Sequence, residues 1–331
     1  MNNISIIIPT RNEEKYLFTC INSIINGLYP KDKIEIIIVD GLSDDSTIEI
    51  VNNLSKNNEN IKLITNYSKT TPYALNLGIE NSTGEYIFIV SAHAEYPEDY
   101  FFKLVEWANK LNADCVGGVL KTKTLKKTKT ANAIQFVLSN KWGVGNAIFR
   151  TGVENVFEVD TVAFGCYHRS VFDKYGKFNQ YLIRNQDIEF NLRIKKSGGT
   201  IFIVPDVSAI YYARSTFREF AKNNFQNGLW NILTVYYTKK INSLSFRHFV
   251  PLGFVLSILL PLVFSLYYFP LFFFSIGLLI IYIIFISNII LFKKIRNSNY
   301  HNIIFAFFIL HFSYGIGSLI GILRMIKLVL K

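Results

Sequence analysis

Residues 249–292 contain no Asp, Glu, Lys, Arg or His, an uncharged run of 44 positions. A helix needs about 20 apolar residues to cross a bilayer core, so the run is long enough for two crossings. Pro270 lies at its midpoint beside Tyr267 and Tyr268, aromatic residues suited to the membrane interface. The run therefore divides into spans of about 251–268 and 271–292 joined as a tight hairpin. Lys239, Lys240 and Arg247 precede it and Lys293, Lys294 and Arg296 follow it. By the positive-inside rule both flanks are cytoplasmic, and so is everything N-terminal to them. The chain is expected to be a multi-pass protein of the cell membrane.

A third apolar segment, about 303–323, leaves its topology open, because a full crossing would export Arg324, Lys327 and Lys331 against the same rule. Gly315, Gly317 and Gly321 give it a small-residue face suited to close helix packing, either within the chain or in a homo-oligomer. His311 is the one readily ionisable group in the apolar segments, which disfavours an ion or proton transporter. The net charge of +11 also divides here: residues 249–331 hold six Lys or Arg and no acid, leaving 29 basic and 24 acidic residues before them. More than half of the excess thus orients membrane helices. Nucleic-acid binding is disfavoured, since no recognised motif accompanies the basic residues. With 50% hydrophobic and 18% charged residues, a disordered chain is excluded too.

The N-terminal part alternates strand and helix patterns. Residues 4–8, 34–39, 61–64 and 86–90 are apolar runs, separated by helical periodicities that include Leu17, Cys20, Ile21 and Ile24, then 48–54, then 72–79. Strands apolar throughout are those covered on both faces in a parallel sheet. An α/β domain with a Rossmann-like, mostly parallel sheet follows, and ligands of such sheets bind at the carboxyl ends of the strands. Those ends carry Pro9-Thr10-Arg11-Asn12-Glu13-Glu14, then Asp40-Gly41-Leu42-Ser43-Asp44-Asp45-Ser46-Thr47, and Ser91-Ala92-His93-Ala94-Glu95. Neither GxGxxG nor a P-loop is present. Asp40 suits hydrogen bonds from a base or ribose, or capping of the next helix with its Ser and Asp neighbours. Cys20, Cys115 and Cys166 lack metal or redox spacing and read as buried, reduced thiols.

With Asn76-x-Gly78 and Gly84-Glu85-Tyr86, this series resembles the family 2 glycosyltransferases of the GT-A fold. Phe164-Gly165-Cys166-Tyr167-His168-Arg169, Arg184-Asn185-Gln186-Asp187-Ile188-Glu189-Phe190-Asn191 and Trp142-Gly143-Val144-Gly145-Asn146-Ala147-x-Phe149-Arg150 resemble the succinoglycan-biosynthesis-type glucosyltransferases of exopolysaccharide assembly. The resemblance implies sugar transfer from a nucleotide sugar, UDP-linked, to an acceptor hydroxyl with inversion. It makes Asp187 the catalytic base; Glu189, two residues on, would face elsewhere on a helix. It implies donor contacts by Pro9, Asn12, Glu13, Asp40, Lys69 and Ser91, and acceptor contacts by Arg150, Gln186, Gln226 and Trp230. Where the family has Asp-x-Asp or Asp-x-His, this chain has Ser91-Ala92-His93. A divalent cation, Mn²⁺ or Mg²⁺, would then fall to His93, with Glu95 as the alternative carboxylate; imidazole favours Mn²⁺.

The expected organisation is a GT-A domain over 1–214, with a donor half at about 1–115 and an acceptor half at about 116–214. An interfacial amphipathic helix and linker occupy 215–248, and a membrane domain 249–331. Five lysines between 121 and 129 suit anionic lipid or a lipid-linked diphosphate, or form a solvated loop. The expected function is transfer of one sugar to a polyprenyl-diphosphate-linked glycan at the cytoplasmic face. The alternatives are transfer to polyprenyl phosphate itself, or nucleotide-sugar binding without turnover.

Overall fold

The computed structural model describes residues 1–145, 147–240, 244–293 and 299–330. Asn146, Lys294, Arg296 and Lys331, which the sequence reading uses, lie outside the described residues. The chain forms two compact units, Met1–Lys121 with Ile148–Tyr212, and Thr122–Ala147 with Ala213–Lys331. Residues 122–147, read from sequence as part of the acceptor half, therefore pack in the second unit. Their apolar positions Ala133, Ile134 and Val137 find their neighbours there, among Phe220, Ile286, Ile290 and Phe307.

In the first unit, strands β1 (Ile4–Thr10), β2 (Ile34–Asp40), β3 (Ile61–Thr65) and β4 (Tyr86–Ile89) alternate with helices α1 (Leu17–Ile25), α2 (Thr47–Ser55) and α3 (Thr71–Glu80). They pair in parallel in the order β3-β2-β1-β4. Ile4, Ile6, Ile7 and Ile8 are all buried, as a strand covered on both faces requires. The chain continues through β5 (Ala94–Glu95), α4 (Tyr100–Leu111) and β6 (Cys115–Lys123). After α5 (Lys129–Leu138), α6 (Lys141–Val144) and α7 (Ile148–Thr151) come β7 (Phe157–Glu158), β8 (Cys166–His168), α8 (Ser170–Tyr175), α9 (Gln186–Lys196) and β9 (Ile201–Tyr212). Beyond β4 the sheet runs β8-β6-β9-β5, with β7 on β9. Strand β8 is antiparallel to β4 and β6, and β9 to β5 and β7. The sheet is thus parallel where the βα repeat is legible, and the pairs β4–β8, β8–β6, β9–β5 and β9–β7 beyond it are antiparallel. Cys20, Cys115 and Cys166 are free and buried.

Two motif positions prove to serve packing. Gly84 lets the turn before β4 lie against β1, since a Cβ there would stand 2.5 Å from the Ser5 nitrogen. Glu35 seals the same turn, accepting from Ser5 Oγ at 2.5 Å, from Thr83 and from Lys62 at 2.9 Å. Burial alone would raise its carboxyl, but these hydrogen bonds outweigh burial and hold it at about 2. Asn76 is buried, and exchanges hydrogen bonds of 2.9 and 3.0 Å with the Phe178 backbone.

The second unit is helical: α5 and α6 join α10 (Phe217–Thr238), α11 (Val250–Phe264), α12 (Pro270–Phe292) and α13 (Tyr300–Val329). Residues 246–264, 270–292 and 300–329 are each long and apolar enough to cross a membrane. His311 on α13 is satisfied within this unit: Tyr282 Oη donates to its Nδ1 at 2.8 Å, and its Nε2–H donates to the Trp142 carbonyl at 3.1 Å. That carbonyl fixes the tautomer and ties α6 to α13. The glycine face is used inside the chain as well, with Gly317 and Gly321 against α10 and Gly315 against α11. The sequence expectation of a homo-oligomer through these glycines thus meets a face already filled.

Candidate active site

The carboxyl ends of β1 to β4 open onto a cavity of about 360 Å³. Pro9 at the end of β1 and Arg11 and Glu13 after it line it, with Asn66, Lys69 and Thr70 from the loop after β3, Thr71 at the start of α3, and Ser91, Ala92 and His93 from the segment after β4. Phe164 and Gly165 before β8, with Gln186 and Asp187 at the start of α9, form the facing wall. Several of these connections hold one non-glycine residue in the left-handed region: Asn12 (φ 56°), Leu42 (φ 57°), Lys69 (φ 58°), Phe164 (φ 53°) and Asn185 (φ 62°). For Leu, Lys and Phe this conformation is disfavoured, and strain of this kind gathers at functional sites.

Each loop is built by local chemistry. Asp40, at the end of β2, accepts from Ser43 N at 2.9 Å and Ser43 Oγ at 2.5 Å, while Ser43 Oγ in turn accepts from Asn12 N at 2.9 Å. The Asn12 amide donates to Asp44 at 2.7 Å and accepts from its N–H at 3.0 Å. Asp40 and Asn12 are therefore engaged in shaping the β1 and β2 loops, and neither lines the cavity. The buried Asn66 bends the next loop, donating to the Thr70 carbonyl at 2.9 Å and accepting from Ser68 N at 3.1 Å, which presents Lys69.

Asp187 is the second residue of α9. The helix is held by buried Asn191, which accepts from Tyr167 Oη at 2.8 Å and donates to Thr161 at 2.9 Å. Asp187 keeps solvent access through the cavity mouth, yet protein mass on its other sides desolvates it. That desolvation raises its carboxyl above the ordinary 3.8, against the opposing pull of the Ile188 N–H. Glu189 has a different fate: Arg193 grips it through two hydrogen bonds of 3.0 and 2.9 Å. A bidentate guanidinium neutralises it.

Two polar atoms on the cavity wall, Gln186 Oε1 and Thr70 Oγ1, are buried without a hydrogen-bond partner. Such atoms cost roughly 1–3 kcal/mol each unless something supplies a donor, so they point to a hydroxyl-bearing or N–H-bearing ligand. Thr70 and Arg11 were not singled out from the sequence. For Thr70 the signal is visible only once α3 is seen to open on the cavity, where Thr70 stands as its N-cap with no side-chain capping bond.

The set of possible cation ligands is small. Glu13 Oε1 lies 3.1 Å from His93 Nδ1, and this contact leaves Nε2 available. Glu95 takes the Tyr212 hydroxyl at 2.7 Å and is not on the cavity wall. Among the described residues no three His, Cys, Asp or Glu converge as a metal site.

The model of Glycosyl transferase family 2 matches residues 5–176, just over half of the chain. A Methanococcus voltae protein, the dolichyl N-acetyl-alpha-D-glucosaminyl phosphate 3-beta-D-2,3-diacetamido-2,3-dideoxy-beta-D-glucuronosyltransferase, is 35% identical over 69% of this chain and 72% of its own length. The chain is a family 2 glycosyltransferase. It is also 27% identical to the succinoglycan biosynthesis protein ExoA of Rhizobium meliloti, over 63% of each chain. Two solved structures share the fold. The mannosyltransferase PcManGT of Pyrobaculum calidifontis, in complex with GDP-Man and Mn²⁺, aligns with a TM-score of 0.64 at 16% identity, over 96% of this chain and 87% of that one. S. aureus TarS 1-349 with UDP-GlcNAc aligns at 0.53 and 17% identity, over 70% of this chain and 66% of that one.

Of the residues named from the sequence, the cavity of this glycosyltransferase brings together Asp187, Gln186, Pro9, Glu13, Lys69, Ser91 and His93. Arg150 lies outside it, its guanidinium 5.0 Å from the Tyr211 ring centroid. Gln226 and Trp230 belong to α10 in the second unit, where Trp230 is buried with Leu229 and Leu233. As an inverting family 2 enzyme, the glycosyltransferase has a single-carboxylate reaction to perform, and Asp187 and Glu189 are the two acids in the first turn of α9.

Proposed function

We propose that this enzyme moves one sugar from a UDP-linked donor to a polyprenyl-diphosphate-linked glycan at the cytoplasmic face of the membrane, in assembly of a surface or exported polysaccharide. The observation that carries the reading is the contrast within α9: Glu189 is held by Arg193, while Asp187 faces the strand-end loops across the cavity with a raised carboxyl. As the acceptor oxygen bonds to the anomeric carbon, the bond from that carbon to the donor's diphosphate oxygen breaks. The acceptor proton passes to Asp187, which suits general-base catalysis, and the electron pair leaves with the nucleoside diphosphate. Arg11 and Lys69 are the cations the chain brings to the cavity wall to meet that charge.

His93, oriented through Nδ1 by Glu13, would hold a divalent cation together with oxygens of the donor's diphosphate. A bound cation would neutralise charge on the leaving group. Gln186 and Thr70 would take hydroxyl or N–H donors of the donor or acceptor, and Pro9 and Ser91 would flank the nucleoside. The Methanococcus relative is named for a lipid-phosphate-linked sugar acceptor and the Rhizobium relative for succinoglycan, which supports a lipid-linked glycan as acceptor. Among the described residues, three helices long and apolar enough to cross a membrane support the same reading.

Membranes carrying the enzyme, given labelled UDP-sugars and a panel of lipid-linked acceptors, should yield longer lipid-linked glycan, and more of it with Mn²⁺. Label appearing only on polyprenyl phosphate would move the acceptor to the bare lipid. Binding of nucleotide without transfer across the panel would overturn the enzymatic reading.

A further inference from the structure

The second unit decides a topology that hydropathy leaves open. We infer that α13 does not cross the membrane but lies in its plane, side by side with α10, and that the α11–α12 hairpin alone enters the bilayer. The inference rests on the reading of the chain as a membrane protein.

The first observation is how α10 and α13 pair. The rings of Phe217 and Phe305 are 5.0 Å apart at the start of the two helices. Further along, Gly317 abuts the Phe225 carbonyl, Gly228 abuts the Tyr314 carbonyl, and Ser318 Oγ donates to the Gly228 carbonyl at 3.1 Å. Asn231 reaches the Tyr314 hydroxyl at 2.6 Å, and Gly321 meets Leu229 and Ile232. The contacts advance together, so the helices run parallel, and α13 from about 305 to 321 shares its depth with α10 from about 217 to 232. Those 16 residues rise about 24 Å, most of a hydrocarbon core. A crossing α13 would carry α10 through the membrane with it. Yet α10 bears exposed Arg218, Glu219 and Lys222, then Asn223, Asn224, Gln226, Asn227 and Asn231. Such a helix is too polar to span, and it lies at an interface.

The second observation is where α13 meets the hairpin. Helices α11 and α12 are antiparallel, with Ser275 donating to the Ile258 carbonyl at 3.0 Å and the rings of Phe254 and Tyr282 4.7 Å apart. Among the described residues, the contacts of α13 with the hairpin fall in its open half, reaching as far as Tyr282 on α12 and Val255 on α11. Ile303, Ala306 and Phe307 cluster with Ile286, Ile289 and Ile290 of α12, and eight to twelve residues later Gly315 packs on Pro251 and Val255 of α11. A third crossing helix would instead descend along α12 toward Pro270. There, Phe273, Phe274, Ile280, Ile281 and Ile284 stay exposed. Helix α13 thus passes across the two ends that carry Arg247 and Lys293.

The occupant of its free face is the acyl layer that also receives the hairpin. Ile316, Ile320, Leu323, Ile326 and Leu330 form one exposed apolar stripe, while Gly317, Ser318 and Gly321 on the opposite side are packed. Arg324 borders the stripe and Lys327 lies within it; both are exposed and reach headgroups by snorkelling. No positive charge is exported, as the positive-inside rule requires.

Depth measurements on the full chain in phosphatidylcholine–phosphatidylglycerol nanodiscs test this. The native cysteines are buried, and burial pushes their thiols up, so added cysteines are labelled selectively. Nitroxides at Ile316→Cys, Leu323→Cys and Leu330→Cys should report one shared shallow depth, with Phe274→Cys well apart from them. A depth changing steadily by about 20 Å from 316 to 330, through the bilayer centre, overturns the inference. In sealed vesicles an impermeant maleimide should reach Arg324→Cys, at the headgroup border, and Asn57→Cys, an exposed position in the first unit, from the same side; labelling from opposite sides overturns it independently. A chain that fails to stay in the membrane fraction would instead remove the membrane reading beneath it.

Discussion

Both units depend on glycine, but they use it for different contacts. In the sheet, Gly78 makes room for the Ile7 side chain and Gly84 for the Ser5 backbone, and the surrounding stability comes from isoleucine strands buried on both faces. In the helical unit, Gly228, Gly315 and Gly317 admit backbone carbonyls of neighbouring helices, while large apolar side chains of α11, α12 and α13 remain on the outside. The difference follows from the surroundings. Water drives the first core together, whereas lipid gives apolar side chains no reason to leave it, so close backbone packing and hydrogen bonds hold the second.

The largest effect that separates the two units is chemical. Asp187→Asn should lower transfer by about 100-fold or more, since amide cannot accept the proton, while leaving both units folded. Because desolvation raises its carboxyl, the folded state favours the protonated form: the stability it contributes is present at low pH and lost as pH rises through the folded value. Removing the charge should therefore leave the melting temperature at neutral pH unchanged or higher, and a clear fall would remove Asp187 from the role of exposed base. In the wild type, the acidic limb of kcat/KM should have its midpoint above 3.8; a midpoint at or below that value would contradict the desolvated site.

Substitutions at glycine sharpen the packing contrast. Gly228→Val sets a side chain against the rigid Tyr314 carbonyl and should destabilise the protein by about 1–3 kcal/mol. Gly277→Val on α12, with nothing within 4 Å of the added Cβ, should stay within about 0.5 kcal/mol. Melting curves in one detergent compare the two, and equal losses would mean that α12 also has a packed partner at that face.

The smallest effect tests the orphaned acceptors. Thr70→Val and Gln186→Ala each remove an atom with no partner in the protein, so folding should be indifferent. Substrate KM should rise roughly 2- to 12-fold, the worth of one hydrogen bond of about 0.5–1.5 kcal/mol. A loss of stability without a change in KM would make them structural.

Much of the fold was legible because its signals are local. Apolar runs of β-branched residues gave the parallel strands, and the chemistry after each strand marked the edge where the cavity lies. Asp187 was singled out by its motif and lines the cavity, and the hairpin was read from an uncharged run with a proline and tyrosines at its centre. The antiparallel half of the sheet was not legible, since β6, β8 and β9 pair across long separations in sequence. Asp40 and Asn12 stood at the right edge, but only their hydrogen bonds to Ser43 and Asp44 reveal that they shape the loops.

What the sequence determined by itself was the division into a Rossmann-like part and an apolar part, the edge that carries the chemistry, and the carboxylate to examine. Tertiary structure decided that Glu189 is bound by Arg193, that Thr70 opens on the cavity, that residues 122–147 pack with the helices, and that α13 packs alongside α10. Periodicity and hydropathy are properties of a segment, whereas pairing and depth belong to its neighbours, which only the folded chain supplies.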